Sequence, residues 1–390
     1  MKTKMNLKFK ESDFLKASST LVGTIIGAGI FGVPFVMAQA GFFVGLGYFV
    51  ILGAIMLILH LMYAEVVEHT KGQHRLIGYS EIYFGAKVKK LVSASFVVSA
   101  YGSLIVYILL ANNFFNTLFG SIFHHNFLWG FLFWAVLGYG IIRGLRVATK
   151  IEFFMFGFLV LTMAVIIFKG LALVNIQNLL TFNASNVIAP FGVILFSLGG
   201  FAAIPEIRAS IRGDGEVFRR AVIWGVIFSI AVTFLFSTVV LGVSGYLTTP
   251  DAISGLLPYL GRQIIYIGAI FGILAVATSY IIIGINLKES FMYDWKIKNW
   301  ISGLLVMTVP VLTILAGVKN FIFALGFTGA VLGAIDGSVI VFLFLRARKS
   351  GVRMAHLPIH FPRSIAFFII LTLIAGGIYV IIDLISSAST

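Results

Sequence analysis

The sequence predicts an all-α integral membrane protein with eleven transmembrane helices and no soluble domain. Hydrophobic residues make up 60% of the 390 positions and charged residues only 11%, a composition that a globular domain in water cannot bury. Apolar segments of roughly 20 residues, the length that spans a bilayer, recur eleven times along the chain. Their centres lie near Gly27, Leu52, Leu104, Trp134, Leu159, Ser197, Thr233, Leu274, Val306, Ala330 and Leu373.

The basic residues indicate how the chain is oriented. If the N-terminus is cytoplasmic, 25 of the 28 lysine and arginine residues fall on cytoplasmic segments, and only Lys169, Arg262 and Lys319 fall outside. Such an excess is typical of the cytoplasmic loops of membrane proteins. We therefore expect a multi-pass protein of the cell (cytoplasmic) membrane, with its N-terminus in the cytoplasm and its C-terminus outside. This topology accounts for the net charge of +14 without nucleic acid as a partner.

Glycine and proline residues interrupt the first predicted span. The run from Gly23 to Pro34 contains four glycines and ends in the proline. Unwound backbone finds no hydrogen-bond partner in lipid, so a break at this depth must be buried in protein or line a polar cavity. Close packing of helices is the alternative role for glycines in a membrane span.

The same spacing returns in the sixth predicted span. Gly200 precedes Pro205 by the same five residues as Gly29 precedes Pro34, and the two glycines are 171 residues apart. Five spans separate the motifs, so the second motif would enter the membrane from the opposite side. Breaks at matching positions of two inverted halves point to the binding site of a transporter.

The exposed ends of two half-helices suit a zwitterionic ligand. A helix N-terminus carries roughly +0.5 of an elementary charge and a C-terminus roughly −0.5. We expect the amides around Ala28 to Gly32 to bind a carboxylate, the carbonyls around Phe196 to Gly200 to bind an ammonium group, and aromatic side chains to complete the wall. The predicted substrate-binding residues are Gly27, Ala28, Gly29, Gly32, Tyr101, Phe196, Ser197, Gly199, Gly200 and Phe201.

Oxygen atoms of spans one and eight predict a cation site. Thr278 and Ser279 place two adjacent hydroxyl groups in span eight, and the broken span one offers the carbonyl groups of Gly23 and Ile26. Oxygen ligands suit a hard cation such as Na⁺. Serine and threonine hydroxyls in helices also bond back to their own chain, and this is the alternative interpretation.

Ionisable groups in or near the predicted spans are candidates for gating or proton transfer. The acidic candidates are Glu65, Glu152, Glu206 and Asp336. Asp336 lies about ten residues from the cytoplasmic end of span ten, roughly 15 Å deep, where it could carry protons. The three glutamates lie near cytoplasmic helix ends, and we expect them to form an inner gate of ion pairs with Arg208, Arg143 or Arg146. For His60, hydrogen-bonded packing is favoured over a role as a proton relay.

Three of these segments resemble a known family. Gly27–Pro34, Ile194–Gly200 and Ala277–Tyr280 are similar to motifs of the amino acid-polyamine-organocation superfamily, and within it of the aromatic and hydroxy amino acid permeases (the amino acid permease family). The resemblance implies the five-plus-five inverted-repeat fold of the bacterial leucine transporter, with discontinuous helices 1 and 6. It implies one transporter domain over 1–390, with repeats over about 14–169 and 186–345 and an additional helix over 362–385.

The resemblance also bears on the coupling ion. The sodium-site pattern of that fold falls on Gly23, Ile26, Ala275, Thr278 and Ser279. Bacterial aromatic permeases similar to this chain are associated with proton coupling, so Na⁺ and H⁺ both stay open. Some proton-driven relatives carry a lysine in span five, and the absence of one between Lys150 and Lys169 slightly favours Na⁺.

The sequence therefore predicts a monomeric, alternating-access symporter that imports a neutral amino acid, aromatic or branched. The expected partners are this amino acid, the coupling ion and the lipid bilayer, with no further cofactor. The alternative is a membrane subunit of a nutrient or germinant receptor, which shares the fold and binds its ligand without flux. An intramembrane enzyme is disfavoured, because the sequence places no cluster of His, Asp and Glu at depth.

Overall fold

The computed structural model describes residues 2–120, 127–144, 149–211, 215–293, 295–350 and 361–388. All regular secondary structure in these ranges is helical. The helices are α1 Lys2–Ile25, α2 Gly29–Ala40, α3 Phe42–His69, α4 Leu76–Phe84, α5 Ala86–Phe119, α6 Leu128–Arg143, α7 Thr149–Leu171, α8 Ala189–Ser197, α9 Ala203–Ser210, α10 Gly215–Ser244, α11 Leu257–Leu260, α12 Arg262–Tyr293, α13 Asn299–Leu315, α14 Phe321–Phe327, α15 Gly333–Ser350 and α16 Arg363–Ala388. A π-helical turn, Thr328–Leu332, joins α14 to α15.

The long apolar helices make this a multi-pass membrane protein. Within the described residues, six helical segments are long and apolar enough to cross a bilayer, and α1 with α2 forms a seventh if the bent pair is one span. The six are Phe42–His69, Ala86–Phe119, Gly215–Leu247, Arg262–Tyr293, Phe321–Lys349 and Arg363–Asp383. Shorter apolar helices lie at Leu128–Arg143, Gly157–Leu171 and Asn299–Leu315. The count of eleven spans and the inverted repeat stay predictions, since short and interrupted helices do not pass the length criterion alone.

Helix α5 occupies the centre of the molecule. Every residue from Ser103 to Asn112 is buried, which is the pattern of a helix that contacts protein on all sides. Its closest neighbour, α12, approaches through Gly272, where an added Cβ would come within 2.5 Å of the Phe114 ring. Phe31 of α2 meets the same ring edge to face, with 5.1 Å between ring centroids. Helix α5 therefore connects the first broken helix to α12.

The outer helices expose apolar side chains, as expected where lipid surrounds the protein. On α16 the exposed side chains include Phe367, Phe368, Leu371 and Ile378. An apolar surface of this extent would aggregate in water but is stable in hydrocarbon.

Candidate functional site

The first broken helix changes its hydrogen bonding over three residues. The regular ladder ends where the Ile26 amide donates to the Val22 carbonyl at 2.8 Å, and the next amide, of Gly27, turns to the Ile25 carbonyl at 2.9 Å. α2 then begins at Gly29, and its axis is bent by 54° from that of α1. The carbonyl groups of Gly23 and Ile26 therefore fall at a helix end, where the ladder no longer covers them.

The second break, between α8 and α9, is longer. α8 ends at Ser197 and α9 begins at Ala203, so five residues leave the helical conformation. The Gly199 amide donates to the Phe196 carbonyl at 3.1 Å, and the Ala203 amide donates to the Gly200 carbonyl at 3.1 Å. Both interruptions lie where the glycine and proline motifs predict them.

The two breaks are in direct contact. A Cβ added to Gly29 would lie 2.6 Å from the Ser197 Cα and 3.0 Å from the Phe196 ring. A Cβ added to Gly200 would lie 2.4 Å from the Ile25 side chain. Only residues without a side chain allow this approach. The N-terminus of α2 is thereby held beside the C-terminus of α8, as the sequence predicts.

A cavity of about 510 Å³ leads from the second break towards α4. Phe201 and Ala202 form its inner end, and Glu206 and Asp336 add carboxyl groups to its wall. Tyr63, Arg75, Glu81, Lys89, Asn286 and Glu289 are among the other lining residues. The second break therefore borders a cavity that α4 also lines.

The segment that precedes α8 packs against the end of α2. The Asn183 amide donates to the Ala40 carbonyl at 3.2 Å, at the end of α2. Gly41 follows with a φ of 107°, and a Cβ there would lie 2.3 Å from the Thr181 carbonyl oxygen. Position 41 requires glycine for two reasons. Other residues rarely adopt this φ, and the Thr181 carbonyl oxygen occupies the space that a Cβ would need.

The proposed aromatic wall is only partly assembled around the breaks. Phe196 packs beside Gly29, and Phe201 lines the cavity. The hydroxyl of Tyr101 instead donates to the Leu305 carbonyl at 3.1 Å, which connects α5 to α13. A role for Tyr101 in binding stays a prediction, but its described polar contact lies elsewhere.

Five other residues from the predicted set leave mainly their backbone groups for a ligand. Gly32 packs against α14, where an added Cβ would lie 2.6 Å from Leu325. The Ser197 hydroxyl bonds back to the Ile194 carbonyl at 3.0 Å. Gly27, Ala28 and Gly199 belong to the unwound segments themselves. These residues could therefore bind a ligand through their amide and carbonyl groups rather than through their side chains.

The hydroxyl groups of α12 are engaged within the protein. The Thr278 hydroxyl donates to the Ala275 carbonyl at 2.9 Å. This is the bond back to its own helix that the sequence allowed as the alternative to a cation site. Ser279 is hydrogen-bonded to the hydroxyl of Tyr107 on α5. Tyr107 was not singled out from the sequence, although a hydroxyl in the middle of an apolar span signals a need for a polar partner.

The proposed cation ligands belong to helices with different neighbours. α1, which carries Gly23, packs mainly against α10 and α9, whereas α12, which carries Ala275, packs mainly against α5 and α7. Among the described residues, no group of three or more His, Cys, Asp or Glu side chains is arranged for a metal ion. Backbone carbonyl and hydroxyl oxygens are thus the donors that a Na⁺ site would use.

The ion pairs near the cavity differ from the expected ones. Glu65 pairs with Arg348, with 3.2 Å between Oε1 and Nε, and Arg208 pairs with Glu68 at 3.0 Å. A gate of ion pairs with Arg143 or Arg146 stays a prediction, and neither of these two ion pairs joins Glu65 to Arg208. The reason is geometric: Glu65 faces α15, while Glu68, almost one turn further along α3, faces α9.

Two other acidic candidates have different positions. Glu206 is exposed and lines the cavity. The side chain of Glu152 lies outside the described residues, as does Arg146. Another acidic residue that lines the cavity is Glu81, which pairs with Lys89 at 2.8 Å and was not predicted from the sequence.

Comparison with known proteins identifies the family. Residues 10–381, almost the whole chain, match the sequence profile of the tryptophan/tyrosine permease family. The chain belongs to this family. It is an amino acid transport protein of the membrane, and permeases of this kind move their substrates without converting them.

Two relatives agree with this assignment. The permease is 22% identical over 362 residues to "Tyrosine-specific transport system 1" of Haemophilus influenzae (strain ATCC 51907 / DSM 11121 / KW20 / Rd), covering 87% of this chain and 90% of the relative. Its fold is similar to the crystal structure of MhsT in complex with L-phenylalanine, with a TM-score of 0.65 at 16% identity. That match covers 96% of this chain and 98% of MhsT.

Two buried polar side chains of the permease lie next to the cavity. Asp336 lines it and accepts a hydrogen bond from the Ser95 hydroxyl at 2.9 Å. His60, fully buried on α3, bonds through Nδ1 to the Met56 carbonyl oxygen at 2.7 Å. The sequence favoured a packing role for His60, and the hydrogen bond of Nδ1 fits that role. Nε2, in contrast, has no partner among the described residues.

Proposed function

We propose that this permease is a secondary active, alternating-access symporter that imports a neutral aromatic amino acid with Na⁺ or H⁺. The observation that carries the proposal is the contact between the two helix breaks at Gly29 and Ser197, together with the cavity that Phe201 and Ala202 of the second break line. The proposed setting is the cell membrane, with the N-terminus in the cytoplasm, the C-terminus outside, and a monomer as the working unit.

The helix ends supply both charges that an amino acid needs. α2 has twelve residues and begins at Gly29, so its N-terminal amides attract the carboxylate. α8 ends at Ser197, and its last carbonyl groups attract the ammonium group. Because the charges are backbone dipoles, the site binds a zwitterion without placing a fixed net charge in the membrane.

Aromatic specificity is supported by the side chains near the breaks and by the relatives. Phe196 and Phe201 offer ring faces and edges of the kind that pack on an aromatic substrate. The curated relative is a tyrosine-specific transport system, and the solved structure of MhsT contains L-phenylalanine. A branched aliphatic substrate would bury less surface against the same rings and is the second choice.

The state described here corresponds to one end of the transport cycle. We take the cavity beside α4 as the open side, and the segment at Asn183 and Gly41, which packs on the end of α2, as the closed side. With the proposed orientation, this is the state that releases substrate into the cytoplasm. The ion pair of Glu68 with Arg208 joins α3 to α9 and would have to adjust as the second break moves.

An uptake screen tests the proposal. Purified permease in proteoliposomes is offered aromatic and branched amino acids, with Na⁺ or H⁺ gradients imposed separately. We expect accumulation of tyrosine, phenylalanine or tryptophan in response to one of the gradients. Saturable binding without any flux would instead indicate the receptor alternative.

Gly29→Leu tests the site itself. The new side chain would collide with the backbone of Ser197, so we expect uptake to be lost at normal expression. Gly47→Leu on α3 is the matched control, because a Cβ there meets nothing within 4 Å. Undiminished uptake by the Gly29 variant would contradict a binding site between the breaks.

A further inference from the structure

His60 is buried beside the second helix break. The residue lies on α3 and is 0% exposed. The ring centroid of Phe201 is 4.5 Å from that of His60, and Nε2 lies 3.2 Å from the position that a Cβ on Gly200 would occupy. Gly200 and Phe201 both belong to the break. The imidazole therefore contacts the segment that must rearrange when a ligand binds or leaves.

The two ring nitrogens differ in their bonding. Nδ1 lies 2.7 Å from the Met56 carbonyl oxygen, and since a carbonyl only accepts, Nδ1 carries the proton of the neutral ring. Nε2 is buried and has no hydrogen-bond partner among the residues that the structure describes. A buried acceptor without a donor costs free energy. The lone pair of Nε2 is the position at which this ring would take up a proton once the cavity reaches it.

The charged groups around α3 leave this nitrogen without a fixed counter-ion. Of the helices packed against α3, α2 and α8 carry no titratable side chain. The titratable side chains of α9, α10 and α15 are Glu206, Arg208, Glu216, Arg219, Arg220, Asp336, Arg346, Arg348 and Lys349. Helix α3 itself carries Tyr48, Tyr63, Glu65, Glu68 and His69 in addition. The described contacts of the imidazole are with Met56, Gly200 and Phe201 instead.

We propose that Nε2 of His60 is the proton-binding site that couples H⁺ to amino acid movement, an inference that rests on the proposed transport function. A protonated imidazole beside the Phe201 ring gains a cation–π attraction that the neutral ring lacks. The C-terminus of α8, at Ser197, adds a negative helix end nearby. Protonation therefore holds Phe201 and orders the break that binds the amino acid. Proton and substrate favour each other's binding through one shared segment.

Phe201 also controls access to His60. Its ring lines the cavity on one side and covers the imidazole on the other. Displacement of the ring would open Nε2 to the cavity, where Glu206 and Asp336 provide acceptors for the departing proton. This arrangement needs no lysine in span five, because the imidazole is the titrating group.

Proteoliposome assays with L-tyrosine separate coupling from binding. Counterflow exchange requires binding and alternating access, whereas accumulation driven by a proton gradient requires coupling as well. A ΔpH of one unit supports about tenfold accumulation for each proton carried. His60→Gln keeps a polar side chain but removes the titrating nitrogen. We expect this variant to retain exchange and to lose ΔpH-driven accumulation.

His69 provides a matched control. It is a second buried histidine on α3, and its Nδ1 lies 2.8 Å from the Glu65 carbonyl oxygen in the same backbone geometry. It lies at the end of the helix, away from the break. His69→Gln should accumulate L-tyrosine as the wild type does.

Several outcomes would overturn the proposal. ΔpH-driven accumulation that persists in His60→Gln contradicts it, and so does wild-type accumulation that responds to Na⁺ alone. Absence of exchange in the wild type with any aromatic amino acid refutes the transport function, and the proton site with it. If His60→Gln loses exchange, the proton-uptake measurement described next tests the proposal instead.

Proton uptake by the purified protein is that second measurement. L-Tyrosine is added to the permease in weakly buffered detergent solution, and the pH change per bound tyrosine is recorded. We expect uptake by the wild type and less uptake by Phe201→Leu, which leaves His60 intact but removes the ring that stabilises its charge. Equal uptake per bound tyrosine in both proteins would contradict the proposed coupling.

Discussion

At the scale of single residues, glycines determine which helices can touch through their backbones. A Cβ added to Gly192 of α8 would lie 2.0 Å from the Gly326 carbonyl oxygen on α14, and one added to Gly329 would lie 1.9 Å from the Gly192 carbonyl oxygen. Backbone cannot move aside as a flexible side chain can. These two positions therefore tolerate no larger residue without a shift of whole helices.

Gly192→Ala should destabilise the permease by about 1–3 kcal/mol, the usual cost of an overpacked core. We expect a lower unfolding temperature in detergent and a lower yield of folded protein. Gly326→Ala is the control on the opposite side of the same contact, where the nearest atom to an added Cβ, in Val193, is 3.6 Å away. Equal thermal stability of the two variants would show that the backbone contact is unimportant.

Side-chain direction is also decided at this scale, and the sequence reveals it poorly. Tyr101 and Tyr107 lie six residues apart on α5, so they point about 120° apart around the helix. Tyr101 reaches Leu305 on α13, whereas Tyr107 reaches Ser279 on α12. Both are tyrosines in an apolar span, and only the rotation of α5 within the bundle distinguishes them.

At the scale of helices, the breaks were predictable because their causes are local. Glycine and proline weaken a helix wherever they occur, so the interruptions near Gly27 and Gly200 follow from composition and from the lack of partners in lipid. The partners of each helix were not predictable. Glu65 and Glu68 point about 60° apart on α3, yet they pair with Arg348 on α15 and Arg208 on α9.

Lys288 is a second interaction between helices that sequence inspection did not select. Its ammonium group donates to the carbonyl oxygens of Ile141 at 3.3 Å and Ile142 at 2.9 Å, near the C-terminus of α6. The last carbonyl groups of a helix lack the full set of partners of its interior, although that of Ile141 also accepts from the Gly144 amide at 3.1 Å, and a positive charge is favoured at this end. α12 thereby caps α6.

Lys288→Met should loosen this contact while it preserves most of the packing of the side-chain stem. The loss of charged hydrogen bonds predicts a destabilisation of about 1–3 kcal/mol, measured as a lower unfolding temperature in detergent. Lys298→Met serves as the comparison, because Lys298 is exposed. If both variants unfold at the wild-type temperature, the cap contributes nothing measurable.

At the scale of the whole molecule, the proposed transport cycle assigns one open side and one closed side to the site. The cavity runs from Phe201 towards α4, and the segment around Asn183 covers the end of α2. In an alternating-access carrier, the open side must close and the closed side must open during each transport cycle. Accessibility from each side is therefore a direct measure of the state of the protein, and the natural chain contains no cysteine to interfere with labelling.

Ala202→Cys should react with a membrane-impermeant thiol reagent applied from the side of α4, because Ala202 is exposed and lines the cavity. We expect bound aromatic amino acid to slow the labelling rate. Ile204→Cys, at a fully buried position of α9, should stay unreactive in the folded protein. Labelling of Ala202→Cys from the opposite side alone would reverse the assignment of the open face.

The segment between α7 and α8 connects α10 to the end of α2. The Asn175 amide and the Asn178 side-chain amide both donate to the Gly242 carbonyl on α10 at 2.9 Å, and the Asn183 amide holds the end of α2. With the proposed orientation, this strap lies on the extracellular face. A molecule wedged beneath it could arrest the carrier without ever crossing the bilayer, which makes the strap an entry point for inhibitors that cells cannot take up.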